Sequence, residues 1–171
     1  SFFFTMVFSC PGFCPHPRRL KNGLFDFLLC SKSSDEDVEQ VPLISQPLVF
    51  IAPKTASLKS TLTWETLVTQ PLIGYEEHSV MDEMLQEVAG RRNSSLTFSY
   101  RAPTEDAIAS LVEHGFGCAL IPWSDVIMET YQIQRLPLPG DSITRHMYLT
   151  TLKGENCQGA AKRFIQFLQS S

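Results

Sequence analysis

The chain has 171 residues, 43% of them apolar and 19% charged, with a formal net charge of −4. That suits one large domain or two small lobes with a packed core, and it excludes disordered, collagen-like and disulfide-stapled classes. The acidic balance argues against a chain that grips nucleic acid or an anionic membrane by itself, because both need basic surface.

The opening Ser1 to Phe8 reads as a strand at a cut end, so the chain reads as a fragment or an excised domain. It lacks the basic start of a secretory leader. No run reaches the roughly 18 apolar residues of a membrane span. The five cysteines, Cys10, Cys14, Cys30, Cys118 and Cys157, are odd in number and scattered. They read as reduced thiols of a cytoplasmic protein. Cys10, Cys14 and His16 form a C-x3-C-x-H cluster with no evident fourth ligand, so this is a loop rather than a metal site.

Asn22-Gly23 stops a helix, and Phe25 to Ser31 follows as a buried strand. Ser33 to Glu39 is a polar loop. Pro47 to Pro53 reads as a second buried strand bounded by prolines. After a loop over Lys54 to Thr61, Thr63 can cap a short helix from Trp64 to Val68, and Pro71 to Tyr75 is a short strand. Ser79 with Asp82 three residues on is capping-box-like. Val80, Met81, Met84, Leu85 and Val88 then recur at helical spacing, and Gly90 reads as the stop.

Leu96 to Arg101 alternates as a strand. Thr104 to His114 is helical, ended by Gly115, and Cys118 to Ile121 is a buried strand ended by Pro122. Ser124 to Thr130 reads as a short helix, Gln132 to Leu138 as extended chain, and Thr144 to Leu152 as a strand. A last helix spans roughly Asn156 to Gln169. Strands alternating with helices predict an α/β fold with mostly parallel sheets.

The order of these segments resembles a known family. Arg19 to Phe27, Gln46 to Lys54, Leu62 to Leu67 with Gln70 to Ile73, Leu111 to Pro122, Leu136 to Leu138 and Ala161 to Leu168 together look like the effector-binding domain of LysR-type transcriptional regulators. The resemblance runs from about Arg18 to the C-terminus. It departs at Cys10 to Pro17, where Pro15 and Pro17 truncate the helix the family starts there. The family's winged helix-turn-helix is not in these residues.

The resemblance implies two Rossmann-like α/β lobes joined by two crossover strands, as in type 2 periplasmic binding proteins. Lobe I would comprise residues 1–52 and 142–171, and lobe II residues 53–141. It implies a small-molecule effector in the inter-lobe cleft, where strand carboxyl ends and helix N-termini converge. The residues it marks for ligand contact are Ser31, Tyr75, Ser79, Pro103 and Thr104; capping alone is the competing role for Ser79 and Thr104, and plain packing for Tyr75. Glu76, Glu77, Asp82, Glu105 and Asp106 either complement helix dipoles and face water, or turn inward, which would disfavour an anionic ligand.

The resemblance further implies a homodimer or higher homo-oligomer, using the Thr104–His114 helix with its Cys118 strand and the helix near Arg18–Lys21, the second damaged by Pro15 and Pro17. DNA would be reached only through a helix-turn-helix domain outside this chain. No cofactor and no catalysis are expected, since His16, His78, His114 and His146 sit in no nucleophile or zinc signature. The alternative is a solute-binding protein, or a small enzyme, on the same fold.

Overall fold

The computed structural model describes residues 6–8, 18–23, 25, 27–58, 62–154, 163–164 and 166–167. The Cys10–Pro17 segment and most of the terminal helix lie outside them. The chain divides into two compact units. Unit 1 is residues 1–45 with 146–171, and unit 2 is residues 46–145. Two strands, β3 (Val38–Pro53) and β8 (Thr144–Leu152), contain the points where the chain passes from one unit to the other.

Unit 1 contains β1 (Met6–Phe8), α1 (Arg18–Lys21) and β2 (Phe27–Cys30). β1 runs parallel to β2, and β2 runs antiparallel to β8 with Leu29 opposite Leu149. The helix stop before β2 is Gly23, at φ 66°, a conformation glycine adopts without steric cost. Two small apolar groups form here: Phe27, Leu29 and Leu149, and Leu20, Leu28 and Val38. The Phe164 ring lies 5.4 Å from Phe27.

Unit 2 has the larger described core. Its elements are α2 (Trp64–Val68), β4 (Leu72–Tyr75), α3 (Val80–Arg91), β5 (Phe98–Ala102), α4 (Glu105–Glu113), β6 (Cys118–Pro122), α5 (Asp125–Thr130) and β7 (Ile133–Leu136). β4 pairs in parallel with β5 on one side and β6 on the other. β3 is antiparallel to both β6 and β7. The sheet is therefore mixed: the parallel part is the three-strand block that helices connect. The right-handed rule for parallel crossovers puts α3 and α4 on opposite faces of it, because β4 to β5 and β5 to β6 run in opposite directions across the sheet.

Three local expectations change. β3 begins at Val38 rather than Pro47, so both Pro42 and Pro47 lie inside a strand. Its continuous buried run is Leu48 to Ala52; in the first half only Val38 is buried, and Val41 and Ile44 are exposed. Pro47 stays useful to the sheet through its carbonyl, which accepts the Trp123 N–H at 2.7 Å. Second, α3 runs through Gly90 to Arg91. Asn93, at φ 50°, ends it; Asn93 N–H donates to Gly90 O at 3.1 Å and Ser94 N–H to Ala89 O at 3.0 Å, the paired bonds of a left-handed helix stop. Third, β6 is an interior strand between β3 and β4 and buried throughout, so it offers no surface to a partner. The edge strand of that block is β5.

Candidate functional site: the carboxyl edge of the unit 2 sheet

β4, β5 and β6 each end at the same edge of the sheet and each lead into a helix capped by a hydroxyl. Ser79 Oγ accepts the Asp82 N–H at 3.2 Å, Thr104 Oγ1 the Ala107 N–H at 3.2 Å, and Ser124 Oγ the Ile127 N–H at 3.4 Å. The reason is general: the first N–H groups of a helix lack intrahelical acceptors, and Ser or Thr in extended backbone supplies one. Residues on either side of β4 and β5 are also brought together, because Tyr75 stands opposite Ala102 in the parallel register.

Two arginines and two carboxylates organise this edge. Asp82 is nearly buried, its side chain 10% exposed. It accepts the His78 backbone N–H at 3.2 Å and Arg101 Nη1 at 3.0 Å. The same Arg101 nitrogen donates to the Tyr75 carbonyl at 2.7 Å, and the guanidinium lies over the Phe98 ring. The Asp82 carboxylate thus reaches back to residue 78, one position before the cap, so the reciprocal half of a capping box is displaced by one residue.

Glu105 opens α4. Its Oε1 accepts the Tyr75 hydroxyl at 3.3 Å and Arg145 Nη1 at 3.2 Å. Arg145 also donates from Nε and Nη2 to Gln46 Oε1. Asp82 and Glu105 therefore turn inward, the second of the two orientations open to the acidic residues at these helix starts. Each does so with an arginine as partner, which offsets the cost of burying a carboxylate.

Tyr75 is buried. Burial pushes its phenol well above the ordinary value, and the Glu105 charge pushes it the same way. Its hydroxyl is engaged with Glu105. Ser79 is buried at its cap, Thr104 is half-buried at its cap, and Pro103 is exposed at the lip between β5 and α4. Ser31 belongs to unit 1, half-buried just past β2, where its carbonyl accepts Gln40 Nε2 at 3.1 Å. The structure thus gathers Tyr75, Ser79, Pro103 and Thr104 at one edge of unit 2. Arg101, Arg145 and Gln46 were not singled out from sequence. For Arg101 a signal was available, a basic residue at the carboxyl end of a strand; Arg145 and Gln46 are 99 residues apart and carried none.

Among the described residues no group of His, Cys, Asp and Glu is placed to hold a metal, and no helix is long and apolar enough to cross a membrane. The Cys10, Cys14 and His16 cluster lies outside them.

A sheet with helix starts gathered beyond its parallel strands is the ligand-binding form of an open α/β domain. The model of the LysR substrate binding domain family matches residues 16–171, and the chain belongs to that family. Its fold is the type 2 periplasmic-binding-protein-like fold. Among solved structures it is similar to the effector binding domain of QuiR in complex with shikimate, with 22% identity, a TM-score of 0.75, and coverage of 86% of this chain and 73% of that one. It is similar to the regulatory domain of CcmR from Synechocystis PCC6803 in complex with 2-PG, with 22% identity, a TM-score of 0.76, and coverage of 90% and 76%. It is also similar to the effector binding domain of a BenM variant, at 15% identity, a TM-score of 0.78, and coverage of 93% and 78%. No curated protein matches the chain in sequence.

Proposed function

We propose that this chain is the effector-sensing part of a LysR-type transcriptional regulator, and that it works by binding a small molecule rather than by catalysis. The observation that carries this is the family match over residues 16–171. The bound shikimate and 2-PG of two structural relatives support a small-molecule ligand. In this reading the unit 2 share of the site is Tyr75, Ser79, Pro103 and Thr104, with Ser31 from unit 1 resting on the resemblance alone. Ser79 and Thr104 accept backbone N–H groups as caps, and each hydroxyl still has its own proton to donate to a ligand, beside the backbone donors of the helix start.

Charge favours a ligand that brings its own acceptors without a large negative charge of its own. Asp82 and Glu105 already occupy the positive ends of α3 and α4. Binding would act on transcription through a DNA-binding domain outside these residues, in a cytoplasmic homodimer. The exposed edge strand β5, where Tyr100 meets Phe116 edge-to-face at 5.5 Å, suits such pairing better than interior β6.

A thermal-shift screen of small polar metabolites tests the reading. A ligand that binds only the folded chain raises its apparent stability. The expected result is a compound whose stabilisation grows with concentration and whose affinity falls in Thr104→Val. A screen without any stabilising compound, with no helix-turn-helix encoded upstream of this segment, would overturn it.

A further inference from the structure

A groove of about 590 Å3 lies on unit 2 away from the helix starts, where the second half of α3 faces the loop before β8. Its volume is in the range of small-ligand sites. Met84, Val88 and Ile143 give it an apolar floor, and Arg92 stands in its wall.

Arg92 is held unusually well for a half-buried arginine. Its guanidinium lies over the Trp64 ring, 4.7 Å from the centroid, and the indole N–H of Trp64 is itself fixed by Ser94 Oγ at 2.6 Å. Only Nη2 makes hydrogen bonds to the described residues, long ones of 3.4 Å to both the Pro139 and Asp141 carbonyls. Nη1 and Nε keep their donors for another partner. Gly140, at φ 83°, lets the loop pass there; an added Cβ would stand 3.4 Å from Nη2.

Two carboxylates border the groove. Glu87 is paired with Arg91 on the same helix, which removes most of its repulsion. Asp141 is exposed on the loop and contributes its carbonyl to Arg92. Arg91 also lines the groove, but it is exposed and its charge is paired with Glu87, so the guanidinium held in place without a carboxylate partner is that of Arg92.

We propose that this groove is a second small-molecule site on the chain, taking a carboxylate with a compact apolar body. The carboxylate would accept a charge-assisted hydrogen bond from Arg92 Nη1 or Nε, since Nη2, which both forked edges of a guanidinium share, is held by the two carbonyls. The apolar body would cover Met84, Val88 and Ile143. A ligand here would touch the loop that leads into Arg145, the residue that holds Glu105 at the start of α4. The site is independent of the effector reading, since it shares no residue with Tyr75, Ser79, Pro103 or Thr104.

Phenylacetate is the probe, with phenylacetamide as a control of the same shape without charge. Amide shifts of the whole chain are followed during titration. The expected result is saturable perturbation at residues 84–93 and 140–144 by phenylacetate, at least tenfold weaker with phenylacetamide, as loss of a charge-assisted bond predicts. Arg92→Gln should weaken phenylacetate at least tenfold, with less loss in Arg92→Lys, which keeps the charge. If Arg92→Gln does not fold, Arg92→Lys alone decides, and unchanged affinity there overturns the proposal. Perturbation centred on residues 79–82 and 102–107, equal binding of the amide, or no saturable shift would each overturn it as well.

Discussion

At the start of α3 and at the start of α4 the same parts recur: a hydroxyl cap, a carboxylate in the first turn and an arginine across from it. The difference lies in where the arginine comes from. At α3, Arg101 arrives on the neighbouring strand, 19 residues from Asp82. Its partners all lie within the β4–α3–β5 stretch: Asp82, Glu77 at 3.7 Å, the Tyr75 carbonyl and the Phe98 ring. At α4, Arg145 arrives from 40 residues away. It is the last residue of unit 2, and it also holds Gln46, the first. One helix start is therefore a rigid local fixture. The other is tied to both points where the chain enters and leaves the unit. A ligand that disturbs Glu105 disturbs those points too, whereas one that touches only Ser79 does not.

Substitutions can break this comparison. The largest effect is expected from Asp82→Ala, which strands Arg101 and leaves the His78 N–H without its acceptor. Urea unfolding should show a loss of about 2–3 kcal/mol, typical of removing one partner from a shielded polar set. A loss under half a kcal/mol would mean the α3 trio is ornamental. Arg145→Met keeps the apolar stem and removes the fork; it should cost about 1–2 kcal/mol. A double-mutant cycle with Glu105→Gln should show coupling of roughly 1 kcal/mol, and strict additivity would contradict the assigned pair.

The caps come next. Ser79→Ala and Thr104→Val should each lower stability by about 1 kcal/mol. If either costs nothing, its hydroxyl is not the cap described.

The last effects vanish at neutral pH and emerge only in alkali. Burial pushes the Cys118 thiol from its ordinary 9.0 up to about 11. The unfolded chain then releases that proton first, so stability is intact below pH 9 and falls as pH climbs from 9 towards 11. Tyr75, pushed upward from its ordinary 10.0 by burial and by Glu105, adds the same sign of slope above pH 10. Cys118→Ala and Tyr75→Phe should each flatten their part of a stability-against-pH curve. A curve that rises through this window would reverse the argument.

What the sequence made legible was local. Thr63 and the Trp64–Val68 helix, the Thr104 cap, the Gly115 stop and the Thr144–Leu152 strand were all readable, because each rests on a capping residue, a glycine or an alternation within a few positions. The first half of β3 was not, since Val38 to Ser45 is mostly exposed and carries a proline. Nor was the α3 stop, because Gly90 is the more obvious breaker than Asn93. The caps Ser79 and Thr104 were readable in the candidate site. The inward turn of Asp82 and Glu105 was not, because it depends on arginines that only the assembled sheet brings near. The antiparallel partners of β3 were hidden for the same reason: alternating helices and strands suggest parallel pairing and say nothing of a strand that joins from the other direction.

The most direct measurement is amide-shift mapping of the compound that most stabilises the chain in the thermal screen, repeated on Thr104→Val with ligand-free stability recorded alongside. The account predicts perturbations centred on residues 75–82 and 102–107, and a dissociation constant weakened about two- to tenfold in the variant. A stabilising compound that leaves both segments unperturbed and binds Thr104→Val as tightly as the wild type would contradict it.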